Sequence, residues 1–162
     1  MSLILNIEQQ QALIRNTQEW VANLSVPRSS LGNSEVTFTA EFLLPKLRSF
    51  VSGLLKPDLY VRGDGGPSVQ PLVTLGVTIY PDMTVTAHED RYLAFEVKFL
   101  RGSDPGGSLT KAIGQSVIYG ELGYTHSFGL IFDLRESRFH GDLLIFKQRL
   151  LSAGNSEVHI FS

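Results

Sequence analysis

The sequence contains no cysteine. That excludes disulfides and thiolate metal sites and fits a reducing compartment. It also lacks any apolar run approaching the ~20 residues needed to cross a bilayer. The start, MSLILNIEQQQ, shows neither a basic n-region nor a cleavage site, so no signal peptide is expected. These absences lead to the expectation of a cytoplasmic chain with no membrane partner. An excess of basic residues is missing too. The net charge is −2, which counts against metal-free coating of nucleic acid but not against an acidic site filled by divalent cations. Internal repeats and low-complexity segments are absent. What is present is 162 residues, 43% of them hydrophobic, which suits one domain (1–162) with a core.

Ile7 to Leu24 carries Leu13, Ile14, Trp20, Val21 and Leu24 at helical spacing. A loop is expected over 25–34 and a second helix from Glu35 to Gly53, with Pro45 kinking it or marking its start. Residues 56–71 are turn-rich and read as irregular. Extended runs follow at 72–80, 83–87 and 92–100. A Gly-rich loop (101–108) leads to a helix over 109–122. A strand at 127–135, a helix at 141–154 capped by Gly154, and a strand at 157–162 complete the chain. This order predicts a mixed α/β domain, one central sheet covered by helices on both sides.

One strand breaks the pattern. In "YLAFEVKFL", Leu93, Phe95, Val97 and Phe99 alternate onto one face, while Ala94, Glu96 and Lys98 share the other. Charges on so apolar a strand are costly unless paired or bound to metal. Asp82, after Pro81, joins them if the hairpin loop is odd-numbered, such as the three residues His88 to Asp90, or contains a bulge that restores the same face. Asp82 then opposes Glu96, with Cβ atoms about 4.5–5.5 Å apart. A four-residue loop would throw Asp82 to the other face. Two such carboxylates suit one Mg²⁺ at about 2.0–2.1 Å.

Pro81-Asp82 followed by Glu96-Val97-Lys98 resembles the PD-(D/E)XK signature of the restriction-endonuclease-like nuclease superfamily. Gln115 and Tyr119 in "AIGQSVIYG" resemble the Q-x-x-x-Y helix of RecB-like nucleases, and i, i+4 spacing puts both on one face. The resemblance covers 35–135 and leaves the helix at 7–24 and the helix-strand pair at 141–161 as additions. It implies an αβββαβ core and an Mg²⁺- or Mn²⁺-dependent deoxyribonuclease of restriction or repair type. Asp82, Glu96 and the Val97 carbonyl would hold metal, and Lys98 and Gln115 would act in catalysis. A helix carboxylate, Glu35 or Glu41, would join them. Lys111 and Tyr119 are candidate phosphate contacts. The implied partners are DNA and either a second copy or a larger protein. The alternative is an interaction or regulatory domain that keeps the fold without cutting. Pro57-Asp58 reads as a turn, and His88, His126, His140 and His159 as surface or strand-end residues.

Overall fold

The computed structural model describes residues 5–32, 34–54, 58–63, 69, 72–74, 76–101, 105–121, 123–135 and 154–161. Its first helix, α1 (Ile7–Ala22), starts at a reciprocal cap: Gln9 N–H donates to the Asn6 side chain, and Asn6 N–H donates to the Gln9 side chain. Leu13, Thr17 and Val21 are its buried stripe, at the helical period that the sequence carries. A 3₁₀ turn (Arg28–Leu31) interrupts the following loop.

The second helix is continuous but not uniform. It runs through α2 (Glu35–Phe38), a π-turn (Thr39–Leu43) and α3 (Leu44–Ser52). Pro45 explains the π-turn. Proline has no N–H to return to the Glu41 carbonyl, and just ahead of it the Leu44 N–H reaches back to the Thr39 carbonyl. The helix thus continues through Pro45.

The central sheet has five strands in the order β1-β4-β5-β6-β7. These are β1 (Tyr60–Gly63), β4 (Met83–Ala87), β5 (Asp90–Leu100), β6 (His126–Asp133) and β7 (Ser156–Phe161). β1, β4 and β5 are antiparallel neighbours, while β5, β6 and β7 run parallel. β1 corrects the expectation of an irregular 56–71. The flanking turn residues hide a short extended run, Tyr60-Val61-Arg62, that gains its order only by pairing with β4. The run at 72–80 is corrected too. It folds on itself as β2 (Leu72–Thr74) and β3 (Val77–Ile79), a separate two-stranded sheet. Leu72 and Ile79 seat this small hairpin on Ala94, Tyr119 and Tyr124.

α4 (Pro105–Glu121) is the crossover between parallel β5 and β6. It begins inside the expected Gly-rich loop because proline is well suited to a first helical position, where its missing N–H costs nothing. One face of the sheet packs on α1 to α3 through Phe38, Leu43, Leu47, Phe95, Phe128 and Phe132. The other packs on α4 through Ala112, Ile131 and Val158. β7, from the helix-strand pair expected as an addition, extends the same sheet at its edge. The helix expected over 141–154 lies outside the described residues up to Gly154, whose φ of 93° is a glycine conformation. No described helix is long and apolar enough to cross a membrane.

Candidate active site

The β4–β5 hairpin turns in two residues, His88 and Glu89, since Ala87 pairs with Asp90. The expectation was an odd loop or a bulge that restores the same face, and the loop is even. A bulge makes up the difference. Thr86 pairs with Arg91 but Val85 pairs with Leu93, so Tyr92 is an extra residue in β5 and the register beyond it shifts by one. Met83 therefore pairs with Phe95, and the Asp82 N–H donates to the Phe95 carbonyl at 3.0 Å. Asp82 arrives next to Glu96 by this route.

β5 runs on past the start of β4. Beyond Phe95, the N–H groups on that flank have no β4 residue to pair with, and carboxylates take them. Val97 N–H donates to Asp82 Oδ2 at 2.7 Å, and Phe99 N–H donates to Glu35 Oε2 at 2.5 Å. Residues that exchange ladder bonds point N–H and C=O to the same side, so the Val97 carbonyl also points to this flank. Glu35 is delivered by the first turn of α2, where the helix dipole favours a carboxylate and Ser34 accepts from the Thr37 N–H.

Glu96 and Lys98 stand on the α4 face. Glu96 is 2% exposed. Its Oε1 lies 3.2 Å from the Lys98 ammonium, and its Oε2 accepts from the Tyr119 hydroxyl at 2.8 Å. Lys98 Nζ is also 3.8 Å from Glu35 Oε1. α4 comes close enough to make these contacts because Glu96 pairs with Gly129 on β6. A Cβ there would sit 3.0 Å from both Ser116 Oγ and Val158 Cγ2.

Burial raises the Glu96 carboxyl above its ordinary range, and Lys98 and Tyr119 only partly offset it. Burial also presses on Lys98, but attraction to Glu96, Glu35 and Asp82 outweighs it and carries the ammonium above its usual value. The two shifts differ because the partners differ in exposure: the Lys98 side chain keeps 21% and that of Glu96 only 2%. Tyr119 is raised by burial and by the negative charge of Glu96, so it remains a hydroxyl donor.

Gln115 lies one turn before Tyr119. α4 runs opposite to β5, so that turn lies toward the Lys98 level of the strand. Its Oε1 is buried and has no hydrogen-bond partner. Tyr119 is fully buried with its hydroxyl committed to Glu96, which leaves no atom for the phosphate contact its spacing suggested. Lys111 is exposed on α4, and Glu41 is exposed on the π-turn, with no described hydrogen bond or ion pair to the cluster. Glu35 is the helix carboxylate that the fold brings in. Arg101 is exposed, with its guanidinium 5.5 Å from the Phe99 ring.

A second charged cluster was not foreseen. On the opposite sheet face Glu157 accepts from Gln18 Nε2 at 2.6 Å and lies 2.7 Å from His126 Nε2 and 2.5 Å from His159 Nε2. His126 is at a strand end as expected, but it is buried, not on the surface. The one signal in the sequence was the alternation of Glu157 and His159 along β7, which puts both on one face. His140 lies outside the described residues.

The fold and site define a class: a mixed α/β domain with an acidic and lysine cluster on the open flank of its central antiparallel-to-parallel strand. Among the described residues no three carboxylate or imidazole groups form a ready metal cage. The oxygens near Lys98 are instead engaged by N–H, hydroxyl and ammonium donors. No family model matches the chain, and no curated protein or solved structure matches it.

Proposed function

We propose that the chain is a divalent-metal-dependent nuclease that hydrolyses phosphodiester bonds in DNA, with a restriction-endonuclease-like core. The observation that carries the reading is the convergence of Asp82, Glu96, Lys98 and Glu35, from three separate segments, on one flank of β5. The donors fit Mg²⁺ or Mn²⁺ in kind. Asp82, Glu96 and the Val97 carbonyl are hard oxygens, which suit these cations, and the orphaned Gln115 Oε1 has a free acceptor for a bound water. Their present hydrogen bonds would have to be exchanged on binding. The metal would lower the pKa of a bound water and neutralise charge on the phosphate.

The chain's own residues do the rest. Lys98, held protonated by three carboxylates, steadies the attacking water or a phosphate oxygen. Glu35 positions Lys98 and fixes the end of β5. Tyr119 holds Glu96 in one orientation. A second reading, a non-catalytic interaction domain, is favoured by one fact: each of these carboxylates has an N–H, hydroxyl or ammonium donor.

Linear, supercoiled and branched DNA assayed with Mg²⁺, Mn²⁺ and chelator decides between the two. The nuclease reading expects cutting with metal, none with chelator, and none by Lys98→Ala. Failure of the wild-type protein to cut any of these substrates in either metal would favour the interaction domain.

A further inference from the structure

The hairpin end of the α4 face holds a polar group that the nuclease reading leaves unused. Thr84, Thr86 and Tyr124 are 1%, 4% and 3% exposed. The Thr86 hydroxyl has no hydrogen-bond partner, and those of Thr84 and Tyr124 have none but each other. Buried hydroxyls are nearly always paired, because an unpaired one loses its water and gains nothing.

The three share one place. Strand pairing puts Thr84 between Arg62 and Ala94, and Thr86 between Tyr60 and Arg91. Tyr124 packs with Ala94 in the same small apolar cluster. The guanidinium of Arg91 stands 5.9 Å from the centre of the Tyr124 ring. It is held there by the α4–β6 turn, where a Cβ on Gly123 would come within 3.4 Å of Arg91 Nη1. Burial raises the Tyr124 phenol, while Arg91, a hydrogen bond with the Thr84 side chain and Arg62 pull it down. Among the described residues neither Arg62 nor Arg91 forms an ion pair.

Two guanidinium groups with no ion pair among the described residues, set around buried hydroxyls that have no other partner, are a donor set for a tetrahedral oxyanion. We propose that Arg62, Arg91, Thr84, Thr86 and Tyr124 form an anion site that takes one backbone phosphate of a bound DNA strand. Thr84 is two residues along the chain from Asp82, about 6.5–7 Å in extended backbone. The site therefore lies beside the carboxylates along the sheet, where the same strand would pass. The identity of the strand rests on the nuclease reading; the anion site itself does not. The partly exposed arginine side chains would fold over the phosphate, and the hydroxyls beneath would rotate to donate.

The test uses inorganic phosphate first, with chelator present so that no metal takes part. Phosphate should raise the melting temperature of the wild-type protein and leave that of an Arg62→Gln/Arg91→Gln double variant unmoved. Tyr124→Phe should show an intermediate response. DNA affinity, measured by anisotropy on the non-cutting Lys98→Ala background, should fall about tenfold in the double variant. The salt slope of log affinity should fall by about one, the value for one neutralised phosphate. The melting midpoint without phosphate confirms that each variant folds. Equal phosphate stabilisation of wild type and double variant overturns the site. Unchanged DNA affinity and salt slope overturn its assignment to a DNA phosphate. Loss of cutting in every metal, with the phosphate and DNA effects intact, would sink the nuclease reading and support the anion site.

Discussion

Two buried carboxylates sit on opposite faces of the same sheet, and they are supplied differently. Glu96 and Glu157 are almost equally buried, at 2% and 3% exposure. Burial alone would raise both. Glu157 has three donors within 2.7 Å, from Gln18, His126 and His159, and these outweigh burial and hold its pKa at about 2. Glu96 has one hydroxyl donor and a lysine at 3.2 Å, and burial wins. Glu96 is enclosed by more of the protein and has fewer donors, and the two together separate them. A carboxylate supplied with three donors is fixed structure. On the nuclease reading, one that is buried and under-supplied, next to a lysine that reaches solvent, is held ready for a further positive charge.

The largest effect that sharpens this comparison is on chemistry. Lys98→Ala should lower metal-dependent DNA cutting by about a hundred- to a thousandfold and leave the fold intact. Glu157→Gln should leave cutting within about twofold once both proteins are folded at the assay temperature. Stability should show the reverse. Glu157→Ala strips partners from Gln18 and two histidines and should cost about 3 kcal/mol. Glu96→Gln, in chelator, should cost less than about 1 kcal/mol, because it also relieves a buried charge.

pH adds a smaller contrast of opposite sign. Glu157 is depressed on folding, so its stabilisation is complete above the ordinary 4.5 and is lost as pH falls from there through about 2. Glu96 is raised on folding, so in chelator its contribution is best at low pH and declines as pH rises above 4.5. Thermal melts from pH 2 to 8 should show Glu157→Gln flattening the acid side and Glu96→Gln flattening the other. Identical curves for the two variants would end the comparison. Smallest of all, Glu41→Gln should change nothing, whereas Glu35→Gln, which disturbs Lys98 and the Phe99 N–H, should reduce cutting about tenfold.

The alternation of Leu93, Phe95, Val97 and Phe99 against Ala94, Glu96 and Lys98 was legible because a strand has a strict period of two. The pairing of Asp82 with Glu96 was legible only as a condition on the loop. The two-residue turn and the Tyr92 bulge that meet the condition depend on long-range pairing, which no local residue announces. β1 was hidden for the same reason: its order comes from β4. Glu35 and Glu41 could not be separated by helical phase because the π-turn ahead of Pro45 resets that phase between them. The Glu157 cluster joins β6 and β7 to α1, which lies more than a hundred residues away in sequence, and spacing rules that look for ligands on one element pass over it.

The central claim is that the Asp82–Glu96 flank binds a divalent cation. It is tested most directly by titrating purified protein with Mg²⁺ and Mn²⁺ up to millimolar concentration while following the melting temperature. Wild-type protein should be stabilised as the cation saturates, by about 1 kcal/mol or more once its concentration passes several times the Kd. Asp82→Asn should need far more metal, Lys98→Ala should respond like wild type, and Glu157→Gln should keep the full shift from a lower starting point. A wild-type melting temperature indifferent to both metals, and equally indifferent in Asp82→Asn, would contradict the account.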